Sequence, residues 1–502
     1  MILTEIKAEE DEHMERSERL GILDLGSNSC RMSLFDTFAD TTYRPVYEVK
    51  QNVRLAEGLS NDGSLTDESL SRAIYCLKRF VRVGKLYGVT RWLAVATAAV
   101  RQADNREYAL SLLEHETGVP FRVLTGDEEA RYGYLGVINT VALNDALIFD
   151  IGGASSELCL VRNRQLLNAI SIPYGALNLR EMYGALGEQG AVERAYAVVT
   201  EALEDVVWLA NACALPLIGL GGTARAMAKL HMGDTGAEWT RLHGYSFPAS
   251  YTGGKLRELQ AMSVNKRRKI KGIAKHRAEI ITSGMAILQA VIDHVRPTTI
   301  HISRNGIREG LLFEALLAEA QTPVVSSVLA HSVSNLQRQF EVDRNIAAIV
   351  TTAALRLFDV MQPDVDLNQE DRMILWTAAQ IEGAGTYIHP EHAADHAAYL
   401  VQSTYLYGLS NEQWARVGHV VSGKTPDPRC AKLSVLLRLA RWLTLELGVP
   451  LTDIGWVTQP RQLSIAGGAD LCLIAPDTAD AKVVEDAQRL FGITLHFSQA
   501  SS

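Results

Sequence analysis

The sequence predicts an α/β protein with two related lobes around a cleft, followed by an all-helical domain and a small α/β appendage. Three observations carry this. A strand–glycine turn–strand unit occurs twice, as LDLGSNS (23–29) and FDIGGASS (149–156). Each copy ends a strand on Asp, places Gly two residues later and continues with small hydroxyl residues. Beyond about Val324, strand signals give way to long Ala- and Leu-rich amphipathic stretches that run to about Leu447. At about 150 residues per domain, 502 residues accommodate two to four domains. The expected boundaries are a leader at 1–18, a first lobe at 19–140, a second at 141–322, a helical domain at 323–447 and an appendage at 448–502.

In chain order, Gly21–Phe35 reads as two strands around the first turn, and Tyr43–Leu55 supplies a third. Thr66–Gly88 has helical spacing, with Leu70, Ile74, Leu77, Val81 and Leu86 on one face and Thr66 or Asp67 as cap. Trp92–Ala98 reads as a buried strand and Asn105–Thr117 as a helix stopped by Gly118. Phe121–Leu124 is a strand, and Gly126–Val137 begins as an acidic helix. The second series opens with Ala146–Val161. Helical pattern follows at Val192–Ala212, then strand, turn and helix across Leu217–Lys229. Asn265–Gly272 is a basic loop, Ala278–His294 a helix, Ile300–Ile302 a short strand and Gly306–Ala318 a helix. Pro450 marks a boundary. The appendage alternates the strand-like runs QLSIA, DLCLIA and ITLHF with a helix near Ala481–Phe491.

Composition excludes several classes. The chain carries 49 Lys+Arg against 58 Asp+Glu, a net charge of −9, which disfavours general nucleic-acid binding but leaves room for a local basic channel. Six cysteines form no CxxC pair, so they read as reduced thiols rather than a disulfide framework or zinc ribbon. The acidic, polar Met1–Leu20 segment is no secretory signal, and no uncharged apolar run reaches 18 residues. A cytoplasmic protein with no membrane span is expected.

The chemistry concentrates in the turns. Asp24, Gly26, Ser27 and Asn28 form one anion cradle: backbone N–H groups approach phosphate oxygens, side chains add donors, and Asp24 suits Mg²⁺ or a water. Asp150, Gly152, Gly153, Ser155 and Glu157 form a second, with paired carboxylates fit for a divalent cation. Gly219, Gly221, Gly222 and Thr223 form a third at a helix start. A polar hairpin turn would explain any one of them alone. No P-loop and no dinucleotide-binding fingerprint is present. In TGDEEAR (125–131) the acids complement a helix dipole, which accounts for Asp127 and Glu128; a Glu facing the cleft would instead be a general base. The basic run Lys266, Arg267, Arg268, Lys269, Lys271, Lys275, His276 and Arg277 is either a solvated face or a polyanion track. His392 and His396 stand four apart, a spacing that chelates metal on one helix face, but no acid follows in an HExxH arrangement.

Together the segments LDLGSNSCRM (23–32), VRLAEGL (53–59), ATAAVRQADN (96–105), TGDEEAR (125–131), FDIGGASSEL (149–158), GLGGTA (219–224), KHRAEII (275–281) and SRNGIREGLLFE (303–314) cover nearly all of residues 20–320. In this order they resemble the exopolyphosphatase and guanosine pentaphosphate phosphohydrolase family of the actin, sugar kinase and Hsp70 superfamily. The resemblance implies two actin-like (ribonuclease H-like) lobes and Mg²⁺-dependent hydrolysis of a terminal phosphoanhydride, with or without a monovalent cation. It implies Glu129 as catalytic base, reversing the reading from composition. It implies Asp24, Asp150 and Glu157 as the groups serving metal and water, and Arg101 as cationic partner of the scissile phosphate. Ser27, Asn28, Arg54, Gly152, Gly153, Ser155, Gly222 and Thr223 are the implied phosphate contacts. Lys266, Arg267, Arg268, Lys269, Lys271 and Arg277 would line a polyphosphate channel.

There are two departures from the family pattern. Ala154 stands where the second turn usually has a third glycine. The helical region resembles the family's HD-related domain, but Glu382-Gly383 replaces the HD pair and VVSGKT (420–425) has no histidine, which implies a dismantled metal site. The expected substrate is inorganic polyphosphate, with pppGpp as the alternative and ppGpp as a further partner. A homodimer is expected. From another class, a non-catalytic nucleotide-binding protein on the same fold would need no water-activating Glu; a sugar kinase ranks last.

Overall fold

The computed structural model describes residues 17–57, 59, 63–237, 241–361, 365–449, 454–457, 462–467, 481–492 and 494–499. Most of the leader, Pro450 and the DLCLIA run lie outside these residues. The chain forms two compact units, residues 1–328 and 329–502.

The first unit is built on two sheets. The first contains β1 (Glu18–Leu25), β2 (Ser29–Thr37), β3 (Tyr43–Asn52), β4 (Arg91–Ala96) and β5 (Arg122–Val123), in the order β3-β2-β1-β4-β5. β1, β2 and β3 run antiparallel, whereas β4 and β5 add in parallel through helical crossovers. Leu20, Ile22, Leu23 and Leu25 of the central β1 are fully buried. Helix α1 (Asp67–Leu86) covers this sheet; Thr66 caps it by accepting from the Ser69 amide at 3.2 Å. Helices α2 (Ala98–Gln102), α3 (Arg106–Thr117) and α4 (Gly126–Ile138) follow, with Gly118 ending α3 in the left-handed conformation.

The second sheet repeats the plan. β6 (Ala146–Ile151), β7 (Ser156–Arg162), β8 (Gln165–Ile172), β9 (Leu217–Leu220), β10 (Ser246–Pro248) and β11 (Thr299–Ile302) lie in the order β10-β11-β9-β6-β7-β8. β6, β7 and β8 are again antiparallel, and β9 and β11 again add in parallel. The repeat read from two turns therefore extends to five strands. Its register is equivalent: Asp24 pairs across β1 and β2 with Arg31, and Asp150 pairs across β6 and β7 with Glu157. The helices are α5 (Ala176–Tyr183), α6 (Gly187–Glu204), α7 (Gly221–Thr235), α8 (Tyr251–Gln260), α9 (Val264–Arg267), α10 (Ile281–Val295) and α11 (Ile307–Leu316).

Two helices exchange sides. α4 leaves the first sheet and packs on β7 and β8, and α11 leaves the second and packs on β1. They cross in backbone contact: a Cβ at Gly136 would strike the Gly306 carbonyl, and one at Gly310 the Tyr132 carbonyl. This crossing fixes the two lobes on either side of the cleft.

The second unit begins with six helices: α12 (Val328–Gln339), α13 (Arg344–Met361), α14 (Gln369–Ile381), α15 (Ala393–Ser403), α16 (Asn411–Ser422) and α17 (Pro428–Arg441). Helix α18 (Ala481–Phe491) joins the same core through Val483, Ala487 and Phe491. Strands β12 (Ile454–Val457), β13 (Gln462–Gly467) and β14 (Thr494–Gln499) make a small sheet. Glu382 is engaged by Arg441 at 2.8 Å. His392 has a left-handed backbone (φ 61°) and precedes α15, so it does not share a helix face with His396.

Several elements differ from the sequence reading. β8, α5, β10 and α8 were not anticipated; β8 is an edge strand with little alternation of burial, and β10 has only three residues. α6 starts at Gly187 rather than Val192 because Gly187 and Gly190 obscure its first turn. Val207–Ala212 is a 3₁₀ segment, and one helical turn capped by Ser263 opens the basic loop.

Candidate active site

The three glycine turns converge on the cleft. The first and second face each other: a Cβ on Gly153 would lie 3.2 Å from the Cβ of Ser27. The second turn is tied to the start of α5, whose Ala176 and Leu177 amides donate to the Gly152 and Gly153 carbonyls at 3.0 and 2.8 Å. Ala154 is buried, has no positive φ and does not line the cleft, so its methyl neither strains the turn nor obstructs the site. In the third turn, Gly221 has φ 74°, and a Cβ there would lie 2.6 Å from the Asp150 carboxylate.

Four acids from different elements share this space: Asp24 at the end of β1, Asp150 on β6, Glu157 on β7 and Glu129 in the first turn of α4. Thr125 and Glu128 form a capping box at the α4 start, with bonds of 2.8 and 3.1 Å. That assigns Glu128 to helix capping and turns Glu129 inward. Glu129 is buried and bonded to Arg101. Burial raises its pKa to about 7 against the pull of Arg101, and Asp24 and Asp150 add to the rise. Burial likewise raises Asp24 and Asp150. Glu157, which accepts from the Ser171 hydroxyl at 2.8 Å, is pushed well up by burial and by Glu129 and Asp150.

The same cleft is lined by the cations Arg31, Lys50, Arg225, Arg277, Arg304 and Arg308 and by a fifth acid, Glu309, and Arg31 sits directly across the strands from Asp24. Cleft burial lowers Lys50 to about 8, helped by Arg31, Arg277, Arg225 and Arg308. Burial and Arg31 bring Arg225 to about 9 and Arg277 to about 10. Cations that depress one another in this way are incompletely neutralised by the protein, and a multivalent anion would relieve them. Arg277 lies over Gly222, where a side chain would collide with its guanidinium.

The paired ends of β1 and β6 offer carboxylate oxygens of the kind that suits a hard divalent cation. Among the described residues no three His, Cys, Asp or Glu side chains form a metal cage. A cation held by these carboxylates would need ligands from outside the protein as well.

Of the residues read from the sequence, Asp24, Ser27, Asn28, Glu129, Asp150, Gly152, Gly153, Ser155, Glu157, Gly222 and Arg277 line the cleft. Arg101 does not; its Nη1 bonds Glu129 and, at 2.7 Å, the Leu124 carbonyl, so it holds the glutamate from behind. Arg54 is exposed beside the cleft lining, with φ 48° and its carbonyl held by Arg72. Two assignments are corrected. Arg267 is 1% exposed, and its guanidinium is occupied by the Leu259, Met262 and Ala278 carbonyls and by Glu188, so it cannot line a channel. The Thr223 side chain is buried toward Gly284 and Ala176, away from the cleft. Lys266, Arg268, Lys269 and Lys271 are exposed outside the cleft lining.

Sequence reasoning missed Arg31, Lys50, Arg225, Arg304, Asn305 and Arg308. The repeat offered a signal for Arg31, which occupies the position of Glu157. Arg225 follows the third turn by one helical step. Lys50 had no local signal; it enters as the cross-strand partner of Arg31.

A two-lobed fold whose glycine turns meet in a cleft lined by buried carboxylates and guanidiniums is that of the actin-like class. Residues 36–319 match the Ppx/GppA phosphatase family, and residues 328–434 match domain III of the Ppx/GppA phosphatases. The chain belongs to the Ppx/GppA phosphatase family. The crystal structure of the Aquifex aeolicus Ppx/GppA family member is similar at 25% identity, covering 61% of this chain and 99% of that one, with a TM-score of 0.52. An exopolyphosphatase from Cytophaga hutchinsonii is similar in fold at 22% identity, covering 60% of this chain and 98% of that one, with a TM-score of 0.55. Among the described residues no helix is long and apolar enough to cross a membrane.

Proposed function

We propose that the chain hydrolyses the terminal phosphoanhydride of inorganic polyphosphate and releases orthophosphate. The observation that carries this reading is that one cleft holds three cations lowered by burial and by neighbouring cations, Lys50, Arg225 and Arg277, together with a buried glutamate whose pKa is raised to about 7. Such a cluster favours several adjacent phosphates over a single one. Glu129 accepts a proton from the attacking water, and Arg101 holds its carboxylate in place. As water oxygen bonds to the terminal phosphorus, the bridging P–O bond breaks and the shortened chain leaves. The glycine turns and the arginines offset the charge on the equatorial and leaving oxygens. Asp24 and Asp150 would hold Mg²⁺, which when bound supplies further charge neutralisation. Lys266, Arg268, Lys269 and Lys271 would meet the distal chain.

The test is phosphate release from long-chain polyphosphate with Mg²⁺, comparing wild type with Glu129→Gln. A fall of about a hundredfold or more in a folded variant supports the reading. Equal release by both places the base elsewhere. A preference for pppGpp in direct competition would make the chain a pppGpp 5′-phosphohydrolase. Tight nucleotide binding without release by either protein would favour the non-catalytic reading.

A further inference from the structure

The wall of the cleft contributed by residues 304–309 holds a side chain that the reaction outlined above does not use. Asn305 is 6% exposed, lines the cleft, and its Nδ2 has no hydrogen-bond partner among the described residues. A buried amide donor without a partner is costly, and native structures contain few of them.

The turn around Asn305 is held firmly. The Ser303 hydroxyl donates to the Asn305 carbonyl at 2.9 Å and accepts from the Asn305 amide at 3.1 Å. The next turn is tied by the Gly306 amide, which donates to Glu309 at 2.8 Å. His243 ties the segment after α4 to the segment before α11: its Nδ1 accepts from the Arg304 amide at 3.3 Å, and its Nε2 meets the Thr140 carbonyl at 3.0 Å. Burial lowers the His243 pKa to about 4, so the ring is neutral at ordinary pH and can serve as both donor and acceptor. The backbone that carries Asn305 is thus fixed before any ligand arrives.

Among the described residues no acceptor is bonded to Nδ2: the Arg304 and Arg308 side chains only donate, and Glu309 is turned to the Gly306 amide and to Arg308. An acceptor entering the cleft would satisfy it, and the guanidiniums that line the cleft favour an anionic one. We propose that Asn305 is a substrate-binding residue whose amide donates to a phosphate oxygen of the bound polyanion. This rests on the reading of the cleft as a phosphoanhydride site. A rigid amide contributes direction, where the surrounding guanidiniums contribute mostly charge.

The experiment uses Asn305→Ser and Asn305→Ala in the full chain, with tripolyphosphate as the probe. Because no bond is lost in the free protein, both variants are expected to melt within a degree or two of wild type, or above it. Tripolyphosphate binding by calorimetry is expected to weaken about tenfold in each, the effect of one charge-assisted bond. Asn305→Asp, which puts a carboxylate where the donor was, is expected to weaken it further. Wild-type binding with unchanged affinity in Asn305→Ser and Asn305→Ala would overturn the proposal and leave the polyanion reading intact. A melting temperature lowered by several degrees in both would assign Asn305 to the fold instead and also overturn it. Failure of wild type to bind tripolyphosphate or pppGpp would overturn the polyanion reading, and the proposal with it.

Discussion

The guanidinium of Arg277 occupies the volume that a side chain at Gly222 would fill. Gly222 has no positive φ, so alanine is compatible with its backbone, and the nearest atoms its methyl would meet belong to the Arg277 guanidinium. Gly222→Ala is expected to fold normally and to lower kcat/KM for polyphosphate about a hundredfold, the effect of displacing a charged contact by about an ångström. Steady-state kinetics beside a thermal melt separate this from a folding defect.

The pH profile follows from Glu129 and Lys50. Glu129 must be ionised to accept a proton, so activity rises through about pH 7. Lys50 must be charged to hold an anion, so activity falls through about pH 8. The expected kcat/KM profile is a narrow bell between them, and Lys50→Arg should move the alkaline limb upward. Stability has its own sign. A carboxyl whose pKa is raised on folding binds more protons folded than unfolded, so its contribution falls as pH rises from its ordinary value through about 7. The melting temperature of Glu129→Gln relative to wild type should therefore climb between pH 5 and 7.5. A flat difference would contradict the raised pKa.

Arg308 joins α11 to the first sheet. Its Nη1 donates to the Ser33 hydroxyl at 2.5 Å and to Glu48 at 2.8 Å. Ser33 and Glu48 are cross-strand partners two residues from the Arg31–Lys50 pair, on the same face. Burial works against the Glu48 carboxylate, yet Arg308, Arg304 and Arg31 hold its pKa below the usual value. Glu48→Gln tests position against charge. It makes the cleft more positive, which by charge alone would lower KM for polyphosphate. If Glu48 aligns the basic pair, KM should instead rise about tenfold with kcat little changed, since the loss is one of binding.

Arg267 and Lys269 are neighbours with opposite expectations. Removing the buried Arg267 guanidinium takes one partner from Glu188, which keeps Thr282 and Arg180, and a donor from the Leu259, Met262 and Ala278 carbonyls, so Arg267→Met should cost about 1–3 kcal/mol in denaturant unfolding. Lys269 is exposed, and Lys269→Ala should stay within about 0.5 kcal/mol. A shift in chain-length preference without a stability change in Lys269→Ala would support its contact with the distal chain.

The sequence alone determined what depends on neighbours along the chain. Glycines after short apolar runs placed the three turns, because their backbone positions need residues without a Cβ. Hydrophobic spacing placed α1, Gly118 ended α3 and the acids of TGDEEAR marked the start of α4, while the bonds between Thr125 and Glu128 that leave Glu129 to turn inward came from the structure. The duplicated turn announced the duplicated sheet. Only the tertiary structure decided which charges meet. Arg31, Lys50, Arg225 and the Arg304–Arg308 pair come from four separate segments and line one cleft, which the crossing of α4 and α11 at Gly136, Gly306 and Gly310 holds together. In one basic run, Arg267 turned into the core while Arg277 reached the third glycine turn. A residue's charge is written in the sequence, but its use depends on burial and on the charges that distant segments bring beside it.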